Sequence, residues 1–189
     1  MANKPLLYWD SCIFLAWLQN ERDKGADVLA GIEEIVRYIH KNQAILITSA
    51  MTRAEVLRST LTAKQVAVLD GVLQRRNVEV VETLGPVWDL AHDIRDHYKQ
   101  LSQIGGPRTV SLPDAVHLAT AINRGVDVFY TLDEKDRKDK PRALIPLSHN
   151  VAGRDLLIEK PHAKQMTLGL GIAIGAENAT DEEDLPETD

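Results

Sequence analysis

The stretch Leu112-Pro113-Asp114-Ala115-Val116-His117-Leu118-Ala119-Thr120-Ala121-Ile122-Asn123-Arg124-Gly125-Val126-Asp127-Val128-Phe129-Tyr130-Thr131-Leu132-Asp133 decides the fold. It reads as a helix over 114–124, stopped by Gly125, which feeds directly into a short apolar strand over 126–130. A helix delivering a buried strand in this way belongs to a parallel sheet covered by helices. Each end of the unit carries an acid, Asp114 at the opening of the helix and Asp133 just past the strand.

The same alternation extends toward both termini. Strands are expected at 6–9 (Leu-Leu-Tyr-Trp), 44–48 (Ala-Ile-Leu-Ile-Thr), 78–82 (Val-Glu-Val-Val-Glu) and 156–158 (Leu-Leu-Ile). Helices are expected at 12–20, 26–41, 50–59, 63–75 and 86–102. The most regular is 26–41, where Val28, Ile32, Ile35, Val36 and Ile39 recur at helical spacing. Gln103 to Ser111 reads as a loop. The domain proper spans 1–165. In the extension 166–189, Thr167 to Gly175 alternates weakly like an edge strand, and Glu177 to Asp189 reads as a disordered acidic tail.

Composition narrows the function classes. A chain of 189 residues with 44% hydrophobic residues fits one domain with a substantial core. It has no apolar run near the roughly 20 residues that span a bilayer, so a soluble protein without a membrane role is expected. No secretory signal precedes the first strand, and the single Cys12 has no disulfide or Cys-x-x-Cys partner, which points to a cytoplasmic setting. Cys12 itself reads as a helix core residue rather than a nucleophile. The formal charge of −6 is concentrated in the tail. Residues 161–189 hold seven of the 28 acids and one of the 22 bases, leaving 21 of each in residues 1–160. A formally neutral body with an acidic site carries its bases elsewhere on the surface, which suits phosphate binding beside a metal.

Asp10 follows the first strand and Asp133 the fourth. In open parallel sheets, ligands bind outside the carboxyl ends of the strands where the strand order reverses. If those two strands are neighbours, both acids face one crevice. Glu55 lies on the helix after the second strand and can lean back over the strand ends, since helical side chains tilt toward the helix N-terminus. Asp114 opens the helix before strand four. Clustered like charges raise one another's pKa and call for a cation, and oxygen-only ligands without His or Cys select a hard ion, Mg²⁺ or Mn²⁺. One or two such ions suit phosphodiester hydrolysis. Each acid also has a plainer reading. Asp114 completes Ser111-x-x-Asp, a capping box; Asp10 caps the following helix; Glu55 is a solvated helix residue; Asp133 is a turn residue.

At these residues the sequence resembles the PIN-domain family, most closely the VapC-type ribonuclease toxins of toxin–antitoxin pairs. The matching segments are Leu7 to Phe14 around Asp10, Thr48-Ser49 with Arg53 to Leu57, Leu112 to Ala121, and Val126 to Asp133, within roughly residues 5–160. The resemblance implies an α/β/α sandwich on a five-stranded parallel sheet of order 3-2-1-4-5. It also implies Mg²⁺- or Mn²⁺-dependent cleavage of RNA leaving 5′-phosphate ends, a homodimer, and an antitoxin protein as partner. The family's four metal-site acids carry over onto Asp10, Glu55, Asp114 and Asp133, with Asp136 a fifth candidate. The extended 131–155 segment and the tail are additions relative to shorter toxin members.

Supporting groups are expected around these acids. Ser11, Ser49 and Thr131 are placed to hold carboxylates or waters, or simply to cap helices. His117, one turn after Asp114, reads as a packed histidine or as a donor to a site carboxylate. Lys135, Arg137, Lys138, Lys140 and Arg142 follow Asp133 and grip an RNA backbone in one reading; in the other they form a solvated charged loop. Arg53 and Arg58 are secondary candidates for the same task. Trp9, Trp17 and Trp88 read as core or interface residues. Against the endoribonuclease reading stand a non-catalytic PIN scaffold that binds RNA or a partner protein, and a flap-type DNA nuclease, which resembles larger chains.

Overall fold

A computed structural model describes residues 4–105, 108–136 and 142–164. The expected edge strand and acidic tail, and with them the boundary near 165, lie outside the described residues. Five strands, β1 (Leu6–Trp9), β2 (Ile45–Ser49), β3 (Val78–Val81), β4 (Val128–Tyr130) and β5 (Ile158–Glu159), form one parallel sheet of order β3-β2-β1-β4-β5. Among the described residues six α-helices accompany them: α1 (Ser11–Gln19), α2 (Ala26–His40), α3 (Ala50–Leu57), α4 (Ala63–Leu73), α5 (Gly85–Gln103) and α6 (Leu112–Arg124). Order and class are those expected.

Alternation along the strands explains the three layers. Tyr8, Ile47 and Phe129 point to the face covered by α5 and α6, through Val87, Ala91, Ile94, Val116 and Ala119. Leu7, Trp9, Leu46, Val128 and Tyr130 point to the other face, against Ile13 and Phe14 of α1, Ile32 and Ile35 of α2 and Leu69 of α4. Both faces are covered, and the two strands at the reversal, β1 (Leu-Leu-Tyr-Trp) and β4 (Val-Phe-Tyr), accordingly carry no charged or small polar residue. No helix among the described residues is long and apolar enough to cross a membrane.

Several boundaries moved. The fourth strand starts at Val128 rather than 126, because Val126 N–H still closes the end of α6 on Ala121 O (3.2 Å) while Gly125 takes the left-handed cap (φ 59°). Pairing with β1 then opens through Asp127 N–H to Leu6 O at 2.8 Å, and the Asp127 carboxylate accepts Leu6 N–H at 2.7 Å. α6 starts at Leu112, two residues before the expected position, with Ser111 as its cap and Pro113 in the first turn, where its missing N–H costs nothing. The last strand is Ile158–Glu159 rather than 156–158. Within the 131–155 addition, a 3₁₀ turn at Ile145–Leu147 and a Val151–Arg154 bridge pack the chain back on the α5 side.

After β5 the chain crosses α2 at Gly31. An ideal Cβ there would lie 2.4 Å from His162 N, closer than real contacts allow, and Ala163 N–H donates to Asp27 Oδ1 at 3.2 Å. Gly31→Ala gains about 1 kcal/mol of helix preference, but relieving the contact costs about 1–3 kcal/mol. The variant is expected to melt about 2–5 °C lower and to be nicked faster by protease around residues 160–164. An unchanged melt with unchanged nicking would show that this crossing is not tight.

Candidate metal centre

The β1–β4 pairing is the starting point. Trp9 sits opposite Tyr130, and Asp10 N–H continues the ladder to Tyr130 O at 3.1 Å. Asp10 is thereby fixed at the carboxyl end of β1, where it also caps α1 through Ser11 N–H (2.6 Å to Oδ1). Its other oxygen, Oδ2, accepts from Thr131 Oγ1 at 2.7 Å and Cys12 Sγ at 3.2 Å. The carboxylate is 6% exposed. Capping and site roles therefore coincide in one residue.

Glu55 reaches the same place from α3. Ser49 caps that helix, accepting Met51 N–H at 3.2 Å, and this sets the turn at which Glu55 faces inward. Glu55 Oε2 receives Ser11 Oγ at 2.7 Å and His117 Nε2 at 2.7 Å. The Ser11 hydroxyl also lies 3.2 Å from Asp10 Oδ1, so its one proton goes to Glu55, the nearer acceptor. His117 is fully buried, with Nδ1 2.7 Å from Tyr8 Oη and Nε2 3.8 Å from Asp10 Oδ1. A carboxylate only accepts, so Nε2–H is the donor to Glu55 in either protonation state of the ring. Nδ1 accepts from Tyr8 when the ring is neutral and donates when it is charged.

Asp114 stands in the first turn of α6. Ser111 Oγ accepts Asp114 N–H at 3.1 Å and donates back to Asp114 Oδ2. The capping reading is thus correct as local structure, but it does not take the carboxyl out of the site. Burial first, then the charges of Asp10 and Asp133, push its pKa from 3.8 to about 6, against the opposing effects of Ser111 and His117. Asp133 is half-buried. Its N–H donates to Thr131 Oγ1 (3.2 Å), and its carbonyl accepts Leu144 N–H (3.2 Å) and Ile145 N–H (3.0 Å). Asp114 thus feels the charges of Asp10, Asp133 and His117, although neither Asp114 nor Asp133 belongs to the group of ligand atoms that the described structure brings closest together.

The fields on the two strongest partners oppose each other. Burial drives the Glu55 pKa up, but the His117 and Ser11 hydrogen bonds and the charges of His117 and Arg58 bring it below the ordinary value. Burial drives the His117 pKa down, but the bond to Glu55 and the charges of Asp10, Glu55 and Asp114 raise it overall. Burial and the neighbouring Asp10 raise the Cys12 thiol, which keeps it protonated and unfit as a nucleophile. Ligand atoms of Asp10, Glu55 and His117 lie within 4.8 Å of one another, close enough to hold one ion.

Other expected residues fall elsewhere. Asp136 is exposed, and its Oδ1 accepts Ala143 N–H at 2.7 Å, so it ties the following loop rather than joining that three-residue group. Arg53 is two residues from Glu55, about 200° around the helix, and pairs with Asp70 of α4 on the outer surface. Arg58, three residues from Glu55, is the α3 cation that acts on the site. Lys135 is exposed; Arg137, Lys138 and Lys140 lie outside the described residues. Sequence reasoning did not pick out Tyr8, whose hydroxyl position inside an apolar strand is the signal it offered, nor the contact of the Cys12 thiol with Asp10.

A family model described as the PIN domain matches residues 7–140. No curated protein sequence matches the chain. In fold it is similar to VapBC2 from Rickettsia felis bound to a DNA fragment from their promoter, at 15% identity and a TM-score of 0.54, over 82% of this chain and 97% of that one. It is similar also to DNA-bound VapBC from Salmonella typhimurium (20%, 0.51, over 82% and 97%). A third likeness is Mycobacterium tuberculosis VapC20, described as a sarcin-ricin loop cleaving toxin (14%, 0.51, over 68% and 91%). At these identities the likeness is one of fold.

The raised Asp114 pKa has a signed consequence. Between pH 3.8 and about 6 the native protein holds a proton that the unfolded chain has released. This contribution is fully present below pH 3.8 and is lost as pH rises through 6, by at most about 3 kcal/mol. In chelator, Asp114→Asn, which keeps the oxygen facing Ser111, is expected to melt higher than the parent at pH 8 and equally at pH 4. Parallel pH profiles for the two proteins would contradict the assigned shift.

Proposed function

The chain belongs to the PIN-domain family, and on that footing we propose that it is a metal-dependent endoribonuclease acting as the toxin of a toxin–antitoxin pair. What supports this reading is the close approach of Asp10 and Glu55 at the strand ends, together with the charges of Asp10 and Asp133 on Asp114, which burial and those neighbours push up to about 6. Against these acids the described cations acting nearby are His117 and Arg58, so the crevice favours an added cation. A carboxylate-rich donor set fits Mg²⁺ or Mn²⁺, one or two ions, held by those four residues. When bound, such ions lower the pKa of a water and neutralise charge developing on the phosphate.

The chain's own residues do the rest. Asp10, with both oxygens in hydrogen bonds, cannot swing, so its position is set before any ligand arrives. Glu55 has Oε2 committed to Ser11 and His117, which leaves Oε1 as its ligand oxygen. Asp114 holds a proton below about pH 6 and must release it to act as a ligand, so activity should climb through that range. In the reaction, the water oxygen bonds to phosphorus, the P–O3′ bond breaks, the 3′ oxygen takes a proton and the phosphate stays on the 5′ side.

VapC20 is described as cleaving the sarcin-ricin loop, which supports RNA as the substrate class. Two of the similar structures are VapBC assemblies, which supports a partner antitoxin. An open groove of about 460 Å³ between α1 and α4, lined by Trp17, Leu18, Thr62, Lys64, Gln65 and Val68, offers an apolar floor for such a partner. A cytoplasmic homodimer completes the proposal.

The test is cleavage of a labelled RNA panel with Mg²⁺ or Mn²⁺. Asp10→Asn and Asp114→Asn are each expected to lower the rate by about a hundredfold or more. Cleavage that persists in both, or that survives chelation, would remove the proposed centre. RNA that is bound but never cut would leave a non-catalytic scaffold.

A further inference from the structure

Arg95 on α5 and Arg142 after β4 are linked to one another outside the group formed by Asp10, Glu55 and His117. Thr109 joins them: its hydroxyl donates to Arg95 O at 3.2 Å, and its carbonyl accepts Arg142 N–H at 3.2 Å. One turn along α5 from Arg95, Tyr98 presents its ring to Arg142, whose Cζ is 5.2 Å from the ring centroid. The ring is fixed, because Tyr98 Oη donates to Asn150 O (3.2 Å) and accepts Ala152 N–H (3.0 Å). A guanidinium stacked on an immobile ring has its plane set in advance.

Neither arginine has a carboxylate partner among the described residues, although several surface cations do. Arg53 pairs with Asp70, Arg124 with Glu79, Arg154 with Asp93 and Lys160 with Glu134, while Asp96, next to Arg95, pairs with His92. Arg95 Nε and Arg142 Nε and Nη1 are buried without any acceptor. Buried donors normally find one, so two half-buried guanidinium groups left this way mark a place prepared for an anion.

The location says which anion. Arg142 directly precedes Ala143, which is tied to Asp136, and Leu144 and Ile145, which are tied to the Asp133 carbonyl. Thr109 is two residues before Ser111, the cap that holds Asp114. The pair is thus built into the two segments that deliver Asp133 and Asp114. Leu144 is two residues from Arg142, at most about 7 Å of extended chain. We propose that Arg95 and Arg142, braced by Tyr98, form a binding site for a backbone phosphate of the nucleic-acid strand, beside the phosphate that is cut. The inference rests on the reading of the acidic site as a nuclease centre. Planar guanidinium groups fit phosphate oxygens in pairs, and a contact to a flanking phosphate adds affinity without reading sequence.

The test measures binding of a short, fluorescently labelled single-stranded RNA to the full chain in chelator, across about 50–200 mM salt. Arg142→Gln and Arg95→Gln are each expected to weaken binding about tenfold and to reduce the salt slope by about 0.7. Arg142→Lys, which keeps the charge but loses the planar stack, is expected to fall between and guards against a folding defect, checked by melting. In a series of RNAs with one neutral methylphosphonate linkage, a single linkage should weaken the parent and make no further difference to Arg142→Gln. Unchanged affinity and slope in both Gln variants, or a loss equal at every linkage, would overturn the site. So would displacement of RNA by a peptide of residues 176–189 from the parent alone, which would assign the arginines to an acidic protein segment. With Mn²⁺, cleavage by Arg142→Gln with KM and kcat unchanged defeats the phosphate site and leaves the nuclease. Binding that is lost in Arg142→Gln, from a parent that cuts no RNA, keeps the site and defeats the nuclease.

Discussion

The pairing of β1 with β4 is the constraint on which the remaining chemistry depends. The chain leaves β1, builds five helices and the two strands that extend the sheet on one side, and returns through α6 to place β4 on the other side of β1. That reversal opens a crevice at the carboxyl ends of the two central strands. Asp10 closes the ladder with its N–H on Tyr130 O and faces Thr131 across it. Were β4 to slip by one residue, Tyr130 and Thr131 would exchange faces, and Asp10 would lose its strongest side-chain donor.

Around that seam the fold tolerates a charge arrangement that does not favour its own stability. Asp114 is raised because it shares low-dielectric space with Asp10 and Asp133, and that repulsion is only partly relieved by His117. The relief is asymmetric. His117 bonds to Glu55 and stands 3.8 Å from Asp10, so it steadies those two and leaves Asp114 the least comfortable member. Tyr8 secures the imidazole from the strand beneath, stacked in turn on Phe129 of β4 at 4.8 Å between ring centroids. The site is thus supported from the core upward, and the acid left under strain is the one with most to gain from a cation.

Sheet class was legible because the strands are short, apolar and separated by well-marked helices, and because Gly125 ends α6 so abruptly, whereas the strand order came from the family resemblance. Asp10, Asp114 and Asp133 were singled out by their positions at strand and helix ends, and Glu55 mainly by the family resemblance. What escaped was anything depending on rotation about a helix or on a side chain in the opposite element. Arg53 and Arg58 look alike as neighbours of Glu55, yet two residues and three residues along a helix point to different faces, and only the second acts on the site. His117 was left between a packed and a functional role because sequence cannot show that burial and contact with Glu55 occur together. The β4 start was missed because the closing turn of α6 claims Val126 before the ladder can.

The segment after Asp133 is where local sequence is least informative and geometry adds most. Read as sequence, Glu134 to Arg142 is a run of charges with no preferred partner. In the fold its ends do different work. Glu134 pairs with Lys160, Asp136 holds Ala143, and the Asp133 carbonyl takes the amides of Leu144 and Ile145, so the described residues on either side of the run are tied to one another. Arg142 stands over the Tyr98 ring with Nε and Nη1 buried and unbonded, where a guanidinium without a carboxylate is costly. Had this segment served only as a linker, a neutral residue at 142 would satisfy the same backbone contacts through Thr109 and leave no donor unpaired. The return of the chain to the edge of the acidic crevice and the charge it carries there are therefore linked, and the backbone alone does not require that charge.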